Sequence, residues 1–530
     1  MSITLKKDRT SHPSELSRHR AITAVVCVAL AAVVSAMSSL NVALPDIARS
    51  THAGETQLTW IIDSYSLVFA ALLLPAGAIG DRFGRRLTLL LGLGIFGTAS
   101  AVAMTVDGAH ELIALRAVLG LGAALVMPAT LSTITGTFPP AQRVRAVSVW
   151  AGVAGASAVL GLLCSGVLLE FWSWRSIFAL NLVLAAVALV GTLRVVPESA
   201  DPTAPKLDLI GATLAVVGLV TLVFSIIEAP TYGWDAVRTL AGLAGGLAVL
   251  VVFVLVELRR RHPLLDPRIF TRRRLSAGSV SIFVQFFAFF GFVFVVLQYL
   301  QLVRGDSPLR SALLMLPMAA AMMPTARLAP VLVARVGSRV VCVTGLLLIS
   351  GALLVLSQLG TDSSMWQLVG GLVPLGVGMG AAMTPATSAI TEALPASQQG
   401  VGSAMNDLAR ELGGALGIAV VGSVLSSTYH SHFALPQAAG GLSTELADKA
   451  RESVAMATHL GGPVADAGRA AFVDGLHAGL LVGSLAALLA AFGVALLLPR
   501  NHDNEHVDTD PTDVTDAPDR DTQLVGSAVP

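Results

Sequence analysis

Long apolar segments alternate with short polar connections along most of the chain. A helix needs about 20 consecutive, mostly apolar residues to cross the hydrocarbon core of a bilayer. The predicted spans lie near residues 21–44, 59–79, 87–105, 112–137, 146–169, 176–196, 209–227, 237–256, 276–300, 309–334, 339–357, 366–394, 402–427 and 472–498. We therefore predict an all-α polytopic membrane protein with fourteen transmembrane helices.

Composition agrees with this pattern. The chain has 530 residues, of which 54% are hydrophobic and only 13% are charged, a balance that soluble domains rarely show. The 34 basic and 34 acidic residues cancel, so the net charge by itself gives no indication of a nucleic acid or any other partner. Cys27, Cys164 and Cys342 fall in separate apolar segments, where we interpret them as small core residues. We expect no metal, no cofactor and no nucleic acid.

Lysine and arginine concentrate in alternate connections. Because short cytoplasmic loops are enriched in these residues, we predict a plasma-membrane protein with both termini in the cytoplasm. The basic residues precede the first span and follow the second, fourth and eighth spans: Lys6, Lys7, Arg9, Arg18, Arg20, Arg82, Arg85, Arg86, Arg143, Arg145, Arg259, Arg260, Arg261, Arg268, Arg272, Arg273 and Arg274.

Two tails and one long connection complete the predicted topology. Residues 1–20 are too long and polar for the start of a signal peptide, so we interpret them as an uncleaved cytoplasmic tail. Residues 501–530 are acidic and are predicted to be a disordered cytoplasmic tail. The connection 428–471 is expected outside the cell, with a surface helix over Leu446–Ala457.

Two sequence patterns occur twice. "DRFGRRLTLL" after the second span shares Arg, Gly and Arg in register with "ARVGSRVVCV" after the tenth, and "GLGAALVMPAT" in the fourth span matches "GMGAAMTPAT" in the twelfth. Spans one to six thus correspond to spans nine to fourteen. We predict two six-helix bundles, 21–200 and 263–500, with two inserted helices within 201–262. Such halves are typical of secondary transporters, whose substrate site lies between them.

Several motifs in the predicted order resemble those of one known family. "GAIGDRFGRR", "RAVLGLGAA" and "NVALPDI" resemble signature segments of the major facilitator superfamily, the last one in its fourteen-span drug:proton antiporter branch. Within that branch, "WIIDSYSL", "WRSIF", "QYLQLVRGDSP" and "MNDLARELGG" look most like exporters of quaternary ammonium compounds and cationic dyes. The resemblance covers roughly residues 21–500.

The chain also departs from that branch at three positions. Ala36 stands where the first span usually carries an aspartate, and Leu162 replaces the proline of the antiporter motif in the fifth span. Met322 stands where the dye exporters have an acid that favours divalent cations. The resemblance therefore implies that proton coupling rests on other carboxyls, and it does not extend to bulky dications.

The driving force of such a protein follows from what the sequence lacks. The four lysines, Lys6, Lys7, Lys206 and Lys449, stand in no Walker motif, so ATP hydrolysis through a P-loop is excluded. A charged carboxyl inside the membrane costs on the order of 3 kcal/mol. It must therefore bind a proton or face a cation, which is the minimum that proton exchange requires.

"MNDLARELGG" opens the thirteenth span with three charges on one helix face. Asp407, Arg410 and Glu411 stand at i, i+3 and i+4. We predict Asp407 as the leading proton or cation carboxylate, Glu411 as a second one a turn deeper, and Arg410 as the charge that compensates both. The alternative is a plain helix start, with acids favoured by the N-terminus and an arginine that reaches the headgroups.

A second candidate set lies near the predicted outer ends of the second and fourth spans. Asp63 and Arg116 are each expected about one turn inside, where they could pair in a proton relay or as a substrate counter-ion; a helix-end acid with a snorkelling arginine is the alternative. Arg327 is interpreted as snorkelling or as facing the cavity. Further cavity candidates come from the motifs: Asn41, Trp60, Tyr65, Gln298 and Met322.

The loop after the second span is predicted to be a gate. Arginines beside an aspartate at a tight glycine turn can form ion pairs in one conformation and release them in another. Positive-inside topology explains the arginines but neither Asp81 nor the glycines. The predicted gating residues are Gly77, Asp81, Arg82, Gly84, Arg85 and Arg86. Glycine runs in the fourth and twelfth spans permit either rocking or static close packing.

Three functions remain open at this point. The favoured one is a proton-coupled, monomeric exporter of amphipathic, cationic compounds, of the multidrug or self-resistance kind. The second is a proton-linked transporter of one specific metabolite. The third is a membrane enzyme or sensor, which the scatter of the eleven histidines over loops and tails disfavours.

Overall fold

The computed structural model describes residues 13–200, 207–260, 263–394, 399–437 and 443–498. Within these residues, fourteen helices are long and apolar enough to cross a membrane, which confirms the predicted all-α fold. Most of the helices extend beyond the apolar runs that predict them, because polar residues continue a helix past the bilayer core at no cost in desolvation. The first span, predicted over 21–44, belongs to a helix from Pro13 to Thr51.

Seventeen α-helices follow one another along the described residues. They are α1 (Pro13–Thr51), α2 (Glu55–Phe83), α3 (Arg85–Ala103), α4 (Ala109–Thr137), α5 (Pro140–Phe171), α6 (Arg175–Val195), α7 (Leu209–Tyr232), α8 (Val237–Glu257), α9 (Arg273–Gln298), α10 (Pro308–Leu314), α11 (Leu316–Val336), α12 (Ser338–Leu356), α13 (Met365–Glu392), α14 (Gln399–His432), α15 (Thr444–Glu452), α16 (Val454–Leu460) and α17 (Gly462–Leu497).

Two short elements flank α9. A 3₁₀ turn, Pro267–Thr271, precedes it, and one π-helical turn, Tyr299–Val303, continues it. The tenth span is divided, because α10 ends at Leu314 and α11 begins at Leu316.

An even number of crossings puts the start of α1 and the end of α17 at the same side. We call this side the terminal end of the bundle and the opposite side the far end.

Helices α1–α6 pack mainly on one another, and α9–α14 with α17 do the same. We refer to these groups as the N-half and the C-half; the boundaries drawn at residues 200 and 262 stay a prediction. The inserted helices α7 and α8 form a pair, and α7 packs against both α2 of the N-half and α14 of the C-half. The inserted pair therefore lies over the seam between the two halves.

The repeated loop motif has the same backbone geometry in both halves. Gly84 separates α2 from α3 with φ +119°, and Gly337 separates α11 from α12 with φ +89°. Both angles lie in the region that favours glycine, since a side chain there would clash with the backbone. At Gly84 an added Cβ would also lie 2.5 Å from Glu198 Oε1. The shared glycine thus has a structural reason in each half.

Two sequence predictions are wrong in detail. The surface helix over Leu446–Ala457 is broken at Ser453, and its second part, Val454 to Ala457, is buried against the body of the protein because those residues are apolar. Cys164 is exposed rather than part of the core. Several predictions lie outside the described residues: the positions of Lys6, Lys7, Arg9 and Arg261, and the disorder of the acidic tail 501–530.

Candidate functional site

The charged residues of α14 lie well inside the bundle. Glu411 is 12 residues from the start of the helix, about 18 Å at 1.5 Å per residue. It is 6% exposed, and within the described part of the chain its Oε2 has no hydrogen-bond partner. The side chain of Asp407, one turn nearer the terminal end, is 18% exposed. Both predicted acids are therefore inside the helix bundle, and Glu411 is the more buried one.

Arg410 pairs only loosely with these acids. Its Nη1 lies 3.9 Å from Asp407 Oδ1, and its guanidinium lies over the ring of Phe286 on α9, 4.7 Å from the ring centroid. The buried Nε of Arg410 has no hydrogen-bond partner among the described residues. The predicted compensation of both acids is thus weak for Asp407, and the Glu411 Oε2 atom is left without a partner.

Asp63 and Arg116 do not form the expected ion pair. Asp63 is fully buried, and neither of its carboxylate oxygens has a hydrogen-bond partner in the described ranges. Arg116 instead donates to three backbone carbonyls, those of Ile61 at 2.9 Å, Ile62 at 3.3 Å and Ala36 at 3.4 Å. Asp63 is also about two turns inside α2 rather than one, because the helix begins at Glu55. Similar depth does not make two side chains face each other.

Tyr65 packs against this arginine. The Arg116 guanidinium lies 4.3 Å from the centroid of the Tyr65 ring, and the Tyr65 hydroxyl donates to the carbonyl of Val33 at 2.9 Å. Tyr65 is fully buried. The structure thus brings Arg116 and Tyr65 together within the N-half, and α2, which carries Tyr65, packs against α14, which carries Glu411.

An aromatic wall stands opposite the charged face of α14. The phenylalanines of α9 form two groups with ring centroids 5.1 to 6.5 Å apart, Phe283 with Phe287, and Phe286 with Phe289 and Phe290. Gly413 and Gly417 let α14 approach this wall, because an added Cβ would lie 2.2 Å from the carbonyl oxygens of Phe283 and Phe287, respectively. The two helices are thus in backbone contact beside the acids.

The predicted gating loop is bonded within the N-half. Asp81 Oδ1 accepts from both Nε and Nη2 of Arg85 at 3.0 Å. Arg86 donates from Nη2 to the carbonyl of Leu193 and from its backbone N–H to Glu198, at the end of α6. Arg82 lies 5.9 Å from the ring centroid of Phe83. Gly77 approaches Pro128, so its Cβ position is 3.6 Å from that ring.

The other cavity candidates have different surroundings. Asn41 and Gln298 are buried and donate to carbonyls of their own helices. The Trp60 indole donates to Glu228 Oε1 on the inserted helix α7 at 2.8 Å, so its polar atom faces that helix. Two further candidates are partly or fully exposed: Met322 is half-buried, and Arg327 is exposed, which leaves both of its interpretations open.

The halves are joined by bonds near the far end, and sequence reasoning missed these residues. Gln301 Nε2, in the π-helical turn, donates to the carbonyl of Val42 on α1 at 2.8 Å. Glu55 Oε1, at the start of α2, accepts from the backbone N–H of Val454 at 3.3 Å. The pattern that could have indicated Gln301 is the "QYLQLVRGDSP" motif, from which only Gln298 was selected.

Three more contacts close the same end. The hydroxyl oxygens of Thr56 on α2 and Ser426 on α14 are 3.3 Å apart, and Ser423 donates to the carbonyl of Ile226 on α7 at 2.7 Å. Gly166 on α5 approaches Leu309 of α10, since its Cβ position is 2.9 Å from the Leu309 Cα. The seam is therefore closed at the far end of the bundle.

Fourteen apolar helices, arranged as two six-helix halves and an inserted pair with buried acids on α2 and α14, define a polytopic membrane transporter. The family model of the Major Facilitator Superfamily matches residues 26–418, and the chain belongs to this family. It is 36% identical over 389 residues to the multidrug resistance protein Stp of Mycobacterium tuberculosis (strain CDC 1551 / Oshkosh), covering 73% of this chain and 72% of Stp.

Two further comparisons extend this result. The chain is 34% identical over 463 residues to the methyl viologen resistance protein SmvA of Salmonella typhimurium (strain LT2), covering 87% of this chain and 92% of SmvA. Among solved structures, it is similar to a bacterial homolog of the human lysosomal transporter Spinster, with a TM-score of 0.61 and 15% identity over 92% of this chain and 98% of that chain. The structural similarity shows the fold, and the sequence similarity shows relatives that confer drug resistance.

Proposed function

We propose that the protein is a proton-coupled exporter of amphipathic organic cations that works by alternating access. The observation that carries the proposal is the pair of membrane-buried acids Asp63 and Glu411, on helices from opposite halves, whose carboxylates have oxygens without a hydrogen-bond partner among the described residues. A buried carboxyl must be neutral or face a cation. Proton binding and cation binding therefore compete for the same groups, which is the requirement for antiport.

The topology and the contacts between the halves support alternating access. The basic loops place the terminal end in the cytoplasm by the positive-inside rule, so the far end faces outward. Because the contacts between the halves close the far end, this conformation is closed to the outside. Breaking these contacts and forming others at the terminal end completes one cycle of alternating access. The loop with Asp81 and Arg85 is positioned for the second set of contacts.

The relatives support the class of substrate. Stp is a multidrug resistance protein and SmvA a methyl viologen resistance protein. Ala36 removes the first-span acid of the branch, so we assign coupling to Asp407, Glu411 and Asp63, with Arg410 as the cation beside Asp407. We further propose that a single chain in the plasma membrane is the working unit, because each acid and both halves belong to one chain.

The test is ethidium uptake into everted vesicles that contain the full chain. Exchange of one proton for one ethidium cation moves no net charge, so the pH difference drives it, and about 1.6 pH units support an approximately 40-fold substrate gradient. We expect uptake on this scale, its loss with a protonophore, and its loss in Asp407→Asn, which stays inserted in the membrane. Protonophore-insensitive uptake would contradict proton coupling.

The same assay separates the alternatives. Transport of one metabolite without any dye would favour the specific transporter, and high activity on a single antibiotic would favour self-resistance. Unchanged uptake in Asp407→Asn would remove this residue from the coupling set. Substrate turnover without transport would replace the proposal by the membrane enzyme.

A further inference from the structure

Arg410 is bound unlike Arg116, the fully buried arginine of α4, and its own side chain is 32% exposed. Arg116 donates to three carbonyls and is 1% exposed. Arg410 reaches Asp407 only at 3.9 Å, and its buried Nε has no hydrogen-bond partner among the described residues. Its main contact is the face of the Phe286 ring at 4.7 Å. The planar guanidinium of Arg410 is therefore held mainly by an aromatic face and a nearby negative charge.

The surroundings of the guanidinium would suit any flat cation. The ring of Phe286 supplies the negative face that attracts a cation within about 6 Å. Phe289 and Phe290 extend the aromatic surface, with centroids 6.5 and 6.1 Å from that of Phe286. Glu411, next to Arg410 along the chain, has a buried oxygen without a partner in the described residues. An aromatic surface edged by two acids is complementary to an aromatic cation.

We propose that Arg410 occupies the substrate's place in the empty transporter, and that a flat organic cation displaces it from Phe286. This inference rests on the proposed export of organic cations and specifies how that site recognises them. When no substrate is bound, the guanidinium keeps one positive charge beside Asp407. Because the arginine is not anchored by hydrogen bonds at its Nε, a stronger cation–π partner can replace it.

The test is equilibrium binding of ethidium to the purified full chain in nanodiscs, without any proton gradient. Arg410→Gln removes the internal competitor and keeps the length of a polar side chain. We expect ethidium to bind about five- to thirtyfold more tightly to this variant, the factor that a desolvated cation–π contact is worth. Arg410→Lys keeps the charge but loses the planar stacking, so its affinity should fall between those of the parent and Arg410→Gln.

Matched controls separate the ring contact from the loss of charge. Arg238 lies 3.9 Å from the centroid of the Tyr232 ring, in the inserted pair and outside the site. Arg238→Gln removes one arginine from an aromatic face and should leave ethidium binding unchanged. Phe286→Leu should weaken ethidium binding, and in that background Arg410→Gln should give no gain. Phenanthridine, the uncharged core of the probe, should not distinguish parent from Arg410→Gln.

The outcomes are distinct from those of the transport assay. Equal ethidium affinity in the parent, Arg410→Gln and Arg410→Lys overturns the displacement, even if everted vesicles export the dye. An equal gain with Arg238→Gln also overturns it, since the effect would then be general charge. Tighter binding that depends on Phe286 supports the displacement, whether or not a protonophore abolishes transport.

Discussion

Gln301 offers the sharpest test of how the far end is closed. Its side chain is 8% exposed and donates across the seam to the carbonyl of Val42, 259 residues earlier in the chain. Gln301→Leu keeps the approximate size of the side chain and removes the donor. The carbonyl of Val42 then stays buried without this bond as long as the end is closed, whereas it can bind water once the halves part.

The size of the effect follows from that bond. The Val42 carbonyl lies within α1 and keeps its helical bond, so the variant loses the net worth of one hydrogen bond, about 0.5–1.5 kcal/mol. This cost applies to the closed conformation, so the population with an open far end should rise by about 2- to 13-fold. Gln298→Leu is the matched control, because Gln298 is equally buried but donates to Phe294 of its own helix. Its loss should leave the equilibrium between the conformations unchanged.

The assay is alkylation of a buried cysteine at the far end. Ser426 is fully buried beside Thr56, so Ser426→Cys reacts with a membrane-impermeant maleimide only when this end opens. All variants carry Cys164→Ser, because Cys164 is exposed. We expect a faster reaction in Gln301→Leu than in Gln298→Leu. Equal rates in both variants and in the parent would refute the view that this bond holds the far end closed.

Three further predictions concern the far-end contact between Thr56 and Ser426, the gating loop and Glu411. Thr56→Cys with Ser426→Cys should form a disulfide on oxidation, because the native hydroxyl oxygens are 3.3 Å apart. Export should then stop until the disulfide is reduced. Export by the oxidised protein would contradict the need for the far end to open. Asp81→Asn should slow turnover, while its ethidium affinity stays within about twofold of the parent's. The reason is that Asp81 binds Arg85, and a single charge-assisted contact of this kind alters rates rather than distant binding. An equal loss of binding would argue against a gate. Glu411→Gln should weaken ethidium binding at Phe286 and lose protonophore-sensitive accumulation, because it removes one of the two acids for which cation and proton compete; full accumulation would exclude Glu411 from coupling.

Part of the site could be predicted from the sequence. Asp63 and Glu411 stand out as charges in apolar spans, and such residues in membranes are costly and hence functional candidates. Their burial without partners follows from the surrounding helices, which sequence reasoning could foresee only in outline. The pairing of Asp63 with Arg116 was wrong, because depth along two helices does not determine the rotation of each about its axis.

The contacts that give the site its properties join distant parts of the chain. Arg410 meets Phe286 across two helices, and Gln301 meets Val42 across the two halves. Neither pair shares a periodic pattern that would connect them. The π-helical turn that carries Gln301 is likewise a local change of helix geometry that an apolar run does not reveal.

The sequence by itself determined the membrane class, the number of transmembrane helices and the repeated glycine turns, because bilayer thickness and backbone stereochemistry act on local residues. The tertiary structure decided which acids lack partners, where Arg410 lies and which end of the seam is closed. Those properties depend on how helices rotate and pack against one another. Their contact energies arise only when residues far apart in the chain are brought together.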